Sequence, residues 1–243
     1  QPHVSLTEDP LTLRRKMDDY GVKFSQLDAA FPVSSPDGPS LGLIYILNSI
    51  RWAKLVGCNH IDTTDLMSKP EGMTDEEALD MMKGIYEKVI EVAELYEMII
   101  NIEPHGYYTT KPDYMARMLD FVDSPYLRMN MDTGNTFIAG QDPVAFLDRF
   151  QDKVSHVHVK DVSQSLAASL RGELTGIAVS HTVIGQGVNV DNIKKCFDIL
   201  VDMEYDGVVS IECEGAGGPM IEESLAWVRE LVDDANQRIA AKS

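Results

Sequence analysis

The stretch TDEEALDMMKGIYEKVIEVAELYEMIINIEPHG, residues 74–106, holds one complete helix-to-strand unit. Thr74 stands three residues before Glu77, the spacing of a capping box, and apolar side chains then recur at helical period as far as Tyr96. The period changes at Met98. MIINIE is a short β-branched run, closed by Pro104 and Gly106, and reads as a buried strand opening into a loop at Glu103.

Three further runs have the same form. RMNMDTGN (128–135) delivers Asp132, SHVHVKD (155–161) delivers His158, and GVVSIECEG (207–215) delivers Glu212. Four ligand-type side chains reaching the C-terminal ends of four successive strands read as one divalent-metal site, because that end of a parallel sheet is where β/α barrels carry their chemistry. Three carboxylates and one imidazole form a hard, mostly oxygen donor set, which suits Mn²⁺ or Mg²⁺. His156 shares its strand face with His158, two residues apart. His158, nearer the mouth, is the expected ligand, and His156 is left as a supporting or packed histidine. Glu214 is the alternative to Glu212.

Upstream, PLTLRRKMDDY (10–20) reads as a helix ended by Gly21, and VKFSQLDAAF (22–31) as a strand entering a Pro/Ser/Gly loop at 32–40. GLIYILNSIRWAKLVG (42–57) is an amphipathic helix leading into the strand CNHIDTT (58–64), and IEESLAWVRELVDDANQRIA (221–240) is the last helix. Strands separated by helices make an α/β fold with a parallel sheet. No GxGxxG follows the first strand, which favours a (β/α)8 barrel over a doubly wound sheet. Six strands are countable, near 22–28, 58–63, 98–103, 127–132, 154–159 and 207–212. The expectation is therefore a single barrel domain over 1–243 whose N-terminal strands, about two, are absent from the chain.

Composition limits the function. With 21 basic against 39 acidic residues the net charge is −18, which opposes binding to nucleic acid and to anionic membranes. The three cysteines, Cys58, Cys196 and Cys213, have no CxxC spacing, so neither a disulfide framework nor a thiolate zinc site is expected. No targeting segment is legible in QPHVSLTEDP (1–10), and a cytoplasmic location is expected.

Glu-Pro at 103–104, Asp-Thr-Gly at 132–134, His-x-His at 156–158 and YDGxxxxE at 205–212 together resemble the xylose-isomerase-like TIM-barrel superfamily, in its sugar phosphate isomerase/epimerase branch with the ketose 3-epimerases. The resemblance covers essentially the whole chain. It implies that Glu103, Asp132, His158 and Glu212 bind Mn²⁺ or Mg²⁺ and that the two glutamates also move protons. A sugar chelating the ion through a carbonyl and its neighbouring hydroxyl would be enolised by one glutamate and reprotonated by the other. One departure stands out. Many relatives carry a histidine three residues after the Asp, where this chain has Asn135.

His105 is the expected replacement in substrate binding or proton transfer. Asn135, Lys160, Asp161 and His181 are the expected substrate contacts, with Lys160 and Asp161 either touching sugar hydroxyls or pairing with each other. His181 lies in an inserted segment, RGELTGIAVSHTVIGQG (171–187), and GAGGPM (215–220) is a weak phosphate cradle with no Lys or Arg inside it. The leading reading is a sugar isomerase or epimerase. Its alternative resembles the catalytic subunit of C-glycoside deglycosidases, in which the same deprotonation of a 3-keto-glycoside expels an aglycone and a small partner subunit is common. A metal-free sugar-binding or scaffold barrel is the third. Expected partners are a small-molecule sugar or keto-glycoside and, weakly, a second copy of the chain; a relative cutting abasic DNA is disfavoured by the acidic balance.

Overall fold

The computed structural model describes residues 5–172, 178–213 and 217–242. The chain divides into two compact units, Gln1–Thr109 with Asp113–Met129, and Thr110–Pro112 with Asn130–Ser243.

The first unit opens with helix α1 (Pro10–Asp19), whose N-cap Asp9 accepts from the backbone N–H of Leu11 and Thr12. Strand β1 (Leu27–Pro32) follows, and a π-turn over Gly38–Gly42 feeds α2 (Leu43–Val56). Gly57 ends α2 in the left-handed conformation at φ 90°. Strand β2 (His60–Thr64) leads to α3 (Asp75–Tyr96), where Thr74 and Glu77 form the capping box read from the sequence. Strand β3 (Ile99–Ile102), α4 (Pro112–Leu119) and β4 (Leu127–Asp132) complete the run. The pairings are parallel, with Leu27 opposite Ile61, Ile61 opposite Ile100, and Ile100 opposite Leu127. All four side chains are essentially inaccessible, and each such residue contributes on the order of 2 kcal/mol of apolar burial.

The first strand lies later than the sequence reading of 22–28. Val22 is 49% exposed and outside the sheet, whereas Leu27, Ala29 and Val33 are fully buried. LDAAFP is rich in alanine and ends on proline, so intrinsic strand propensity is weak there; pairing with β2 and burial decide the boundary.

In the second unit the last half of β4 enters α5 (Thr133–Ile138), then α6 (Pro143–Phe150), β5 (Val154–Val159), α7 (Gln164–Leu170), α8 (Val190–Asp202), β6 (Val208–Ile211) and α9 (Gly218–Ala240). β5 and β6 pair in parallel, with His158 opposite Ser210 and Val159 opposite Ile211. Strand order follows chain order from β1 to β6. This is the alternation of a (β/α)8 TIM barrel. Among the described residues, no helix is long and apolar enough to cross a membrane.

Candidate metal centre

In the first unit Glu103 directly follows β3; it is buried, and its backbone N–H donates to the Thr63 carbonyl at 3.1 Å. His105, two residues on, has Nδ1 2.7 Å from Thr64 Oγ1. The loop that carries His105 is fixed from below by Asp65. Its carboxylate accepts from the Tyr108 N–H at 2.6 Å and from the Thr109 hydroxyl at 2.7 Å. Thr109 Oγ1 in turn accepts from the N–H groups of His105 and Gly106, each at 2.9 Å. Gly106 permits the approach, since a Cβ there would sit 2.0 Å from Asp65 Oδ1.

Asp65 is completely buried, and burial pushes its carboxyl up to about 6 despite these hydrogen bonds, which act in the opposite direction. Because the folded-state value lies above the ordinary 3.8, the fold binds this proton more tightly than the unfolded chain does. Stability from this group is full below pH 3.8, falls by about 3 kcal/mol as pH rises to about 6, and is flat above. Denaturant titrations across that window should show the decline in the wild type and its loss in Asp65→Asn, the difference between the two curves isolating the group.

In the second unit three strand ends converge. Asp132 closes β4, His158 lies on β5 and Glu212 follows β6, with one ligand atom of each within 4.8 Å of the others. His158 Nδ1 is 3.2 Å from Glu212 Oε2 and 3.8 Å from Asp132 Oδ2. Asp132 is fully buried and divides its oxygens, since Oδ1 caps α5 by accepting the Asn135 N–H at 2.6 Å. The Glu212 N–H is held by the Val159 carbonyl at 2.9 Å, which places its side chain beyond β5.

Lys160 is 2% exposed, with Nζ 3.0 Å from Glu212 Oε1 and 3.3 Å from Asn135 Oδ1. Its stem packs on Gly134, where a Cβ would stand 2.5 Å from Lys160 Cγ. Burial works against the charged form of Glu212, yet the His158 side chain, the Lys160 ammonium and the Asp132 side chain hold its carboxyl well below the usual range. Lys160 thus pairs with Glu212 and not with Asp161. The Asp161 oxygens accept four backbone N–H groups instead, from Val162, Gly185, Gly187 and Asn189, at 2.8–3.0 Å. Asp161 is the anchor of the 185–189 segment, and its carboxylate is occupied with main chain. Asn135 is buried beside Lys160, while His181 is exposed. Glu214 and residues 215–216 of the glycine run lie outside the described residues, as does the 173–177 part of the inserted segment.

Sequence reading did not single out the polar residues that hold these groups. Thr133 Oγ1 accepts the Lys160 N–H at 3.0 Å, and Asn189 Nδ2 donates to the Thr133 carbonyl at 2.9 Å. Asn130 and Ser210 reach the two histidines, Asn130 contacting both rings at 3.1 Å and Ser210 contacting His156 at 3.2 Å. Their only sequence signal is the period of two along each strand, which places Asn130 on the Asp132 face and Ser210 on the Glu212 face.

The donor set fits a divalent cation. Two carboxylates and one ammonium leave one excess negative charge in a nearly water-free setting, which a cation offsets. Glu212 Oε2 is buried, makes no hydrogen bond among the described residues and stands 3.2 Å from His158 Nδ1.

Residues 2–231 match the family model of the xylose isomerase-like TIM barrel. An inosose dehydratase of Geobacillus kaustophilus (strain HTA426) is 23% identical over 226 residues, 86% of this chain and 73% of that protein. Other inosose dehydratases align over 34% to 52% of their own length. A structure of L-ribulose 3-epimerase superposes with a TM-score of 0.79 at 15% identity, covering 100% of this chain and 86% of that one. The IolI protein with a bound zinc atom gives 0.70 at 15% identity, over 94% and 82%.

Proposed function

Because the chain belongs to the xylose isomerase-like TIM-barrel family, we propose that it is a divalent-metal-dependent enolising enzyme acting on a keto-sugar or keto-polyol, with isomerisation or epimerisation as its reaction. The observation that carries this reading is the convergence of Asp132, His158 and Glu212 with a buried ammonium on Glu212. Glu103, at the end of β3, is the fourth ligand on the resemblance, and Mn²⁺ or Mg²⁺ the ion. Bound there, the ion supplies Lewis-acid polarisation of a substrate carbonyl.

The chain's own residues do the rest. Glu212 is ionised at neutral pH because of its depressed pKa, so it begins turnover as a proton acceptor. Lys160 holds Glu212 Oε1 at 3.0 Å, which leaves Oε2 as the oxygen to be shared between the ion and the substrate proton. Glu103 is the group that returns the proton, as the resemblance implies. Asn135, held at Oδ1 by Lys160, offers its amide N–H groups to a substrate hydroxyl. His105 is the further proton-transfer group, with its ring set by Thr64.

A second reading, a lyase, is favoured by the names of the sequence relatives, which are inosose dehydratases. The same deprotonation would then expel a leaving group from the next carbon, water or an aglycone, in place of reprotonation. Incubating the Mn²⁺-loaded protein in D₂O with ketoses, inososes and 3-keto-glycosides separates the two. Deuterium beside the carbonyl with the skeleton retained supports the isomerase; release of water or aglycone supports the lyase. No exchange on any substrate, with metal bound, sinks the enolisation mechanism.

A further inference from the structure

A cleft of about 460 Å³ lies in the second unit, within the range of about 300–1,000 Å³ typical of small-molecule sites. One wall is α7 with the turn before it, through Ser163, Ser165, Leu166 and Ser169; the other is Val179, His181 and Thr182 of the inserted segment. Both walls are anchored at the mouth of β5. Val162 is fully buried in a cluster with Ile138 and Ala178, against which Leu166 packs, and its carbonyl accepts the Val188 N–H at 2.8 Å. Asp161 holds the inserted segment on its return, at Gly185, Gly187 and Asn189. Ser163 stands three residues beyond Lys160, so their Cα atoms are at most about 11 Å apart. The cleft therefore borders the metal centre.

We infer that this cleft is a distal subsite, which holds the second ring of a two-ring substrate while the keto-sugar ring lies at the metal centre. The inference rests on the function proposed above and narrows its substrate to a keto-glycoside. Charge selects the ligand first. In a chain with 39 acidic and 21 basic residues the lining carries no Asp, Glu, Lys or Arg, so a neutral group fits and a phosphate ester meets no cationic partner of that kind. Shape and hydrogen bonding select it next. Leu166 and Val179 supply apolar surface, with Val179 55% exposed. Hydroxyls surround them: Ser163 Oγ lies 3.1 Å from Ser165 Oγ, and Ser169 Oγ donates to the Leu166 carbonyl at 3.1 Å, which keeps its own acceptor lone pairs for a ligand. Aliphatic faces edged by hydroxyls and the His181 imidazole match a ring with an apolar face and a polar rim, a chemistry that a second sugar and a phenol share. Contacts made there would orient the reacting ring from a distance, since binding energy from a remote part of a substrate can be used to position the reacting carbon.

The subsite can be read without catalysis. The full chain, labelled with ¹³C at its leucine and valine methyl groups and loaded with Mg²⁺, is titrated with methyl β-D-glucopyranoside, cellobiose and 4-hydroxyphenyl β-D-glucopyranoside. The Leu166 and Val179 methyl signals should shift with at least one two-ring probe and stay in place with the one-ring probe; the two-ring probe that binds more tightly identifies the second ring as sugar or phenol. Ser169→Trp fills the cleft from an exposed position on α7 and should lower the ratio of two-ring to one-ring affinity about tenfold or more. Val179→Glu puts a carboxylate on the apolar surface and should act in the same direction, and it decides if the tryptophan variant fails to fold. Unmoved Leu166 and Val179 signals with both two-ring probes overturn the inference, as do equal shifts with the one-ring probe or an affinity ratio that neither variant changes. A protein that binds no divalent ion and exchanges no substrate proton in D₂O overturns the reading of the centre instead, a result measured separately from the cleft signals.

Discussion

Asp132→Ala and Asp132→Asn are both expected to abolish Mn²⁺ binding and to lower turnover at least about 10³-fold, while only the alanine variant loses fold stability, by about 1–2 kcal/mol. The separation follows from the two oxygens. Oδ1 belongs to the N-cap of α5, taking the Asn135 N–H at 2.6 Å, and an asparagine oxygen can keep that bond. Oδ2 belongs to the centre, 3.8 Å from His158 Nδ1, and a neutral amide supplies neither the charge nor the hard donor a divalent ion requires. Metal titration and thermal unfolding on the same samples test both halves. Full Mn²⁺ stoichiometry in either variant would remove Asp132 from the ligand set.

What sequence could reveal was whatever repeats locally. The capping box at Thr74 and Glu77 is a three-residue pattern, and the stop at Gly57 is a one-residue one; both are realised in the backbone. Asp132 was legible because a strand run of fixed period ends on it. The limits of β1 were not, since LDAAFP has little strand preference of its own and is a strand only through its pairing with β2. The role of Asp161 was hidden for a related reason. Its four donors lie one residue away and at positions 185, 187 and 189, in a loop whose return to β5 no short pattern announces. Asn130 and Ser210 are ordinary polar residues in strands until the register of β5 and β6 and the fold of β4 bring them to the histidines.

Lys160→Met should be the most informative single change on the charge balance of the centre. The ammonium is 2% exposed and 3.0 Å from Glu212 Oε1, so its removal leaves a nearly buried carboxylate without its hydrogen-bonded cation; a loss of about 3–5 kcal/mol is expected in the metal-free protein. The pH dependence should move with it. In the wild type the folded-state pKa of Glu212 is depressed, so its contribution is full above the ordinary value of 4.5 and is lost as pH falls through the lower folded value. Without Lys160 that depression shrinks, and acid unfolding begins at a higher pH. Arginine is not expected to rescue, because a planar guanidinium does not reproduce the single Nζ that lies 3.0 Å from Glu212 Oε1 and 3.3 Å from Asn135 Oδ1. If a divalent ion occupies the centre as proposed, Mn²⁺ will raise the Tm of Lys160→Met more than that of the wild type, since the ion restores the positive charge that the substitution removes. Equal Mn²⁺ shifts in the two proteins, with unchanged acid unfolding, would mean that the Lys160–Glu212 pair is incidental to the electrostatics of the site.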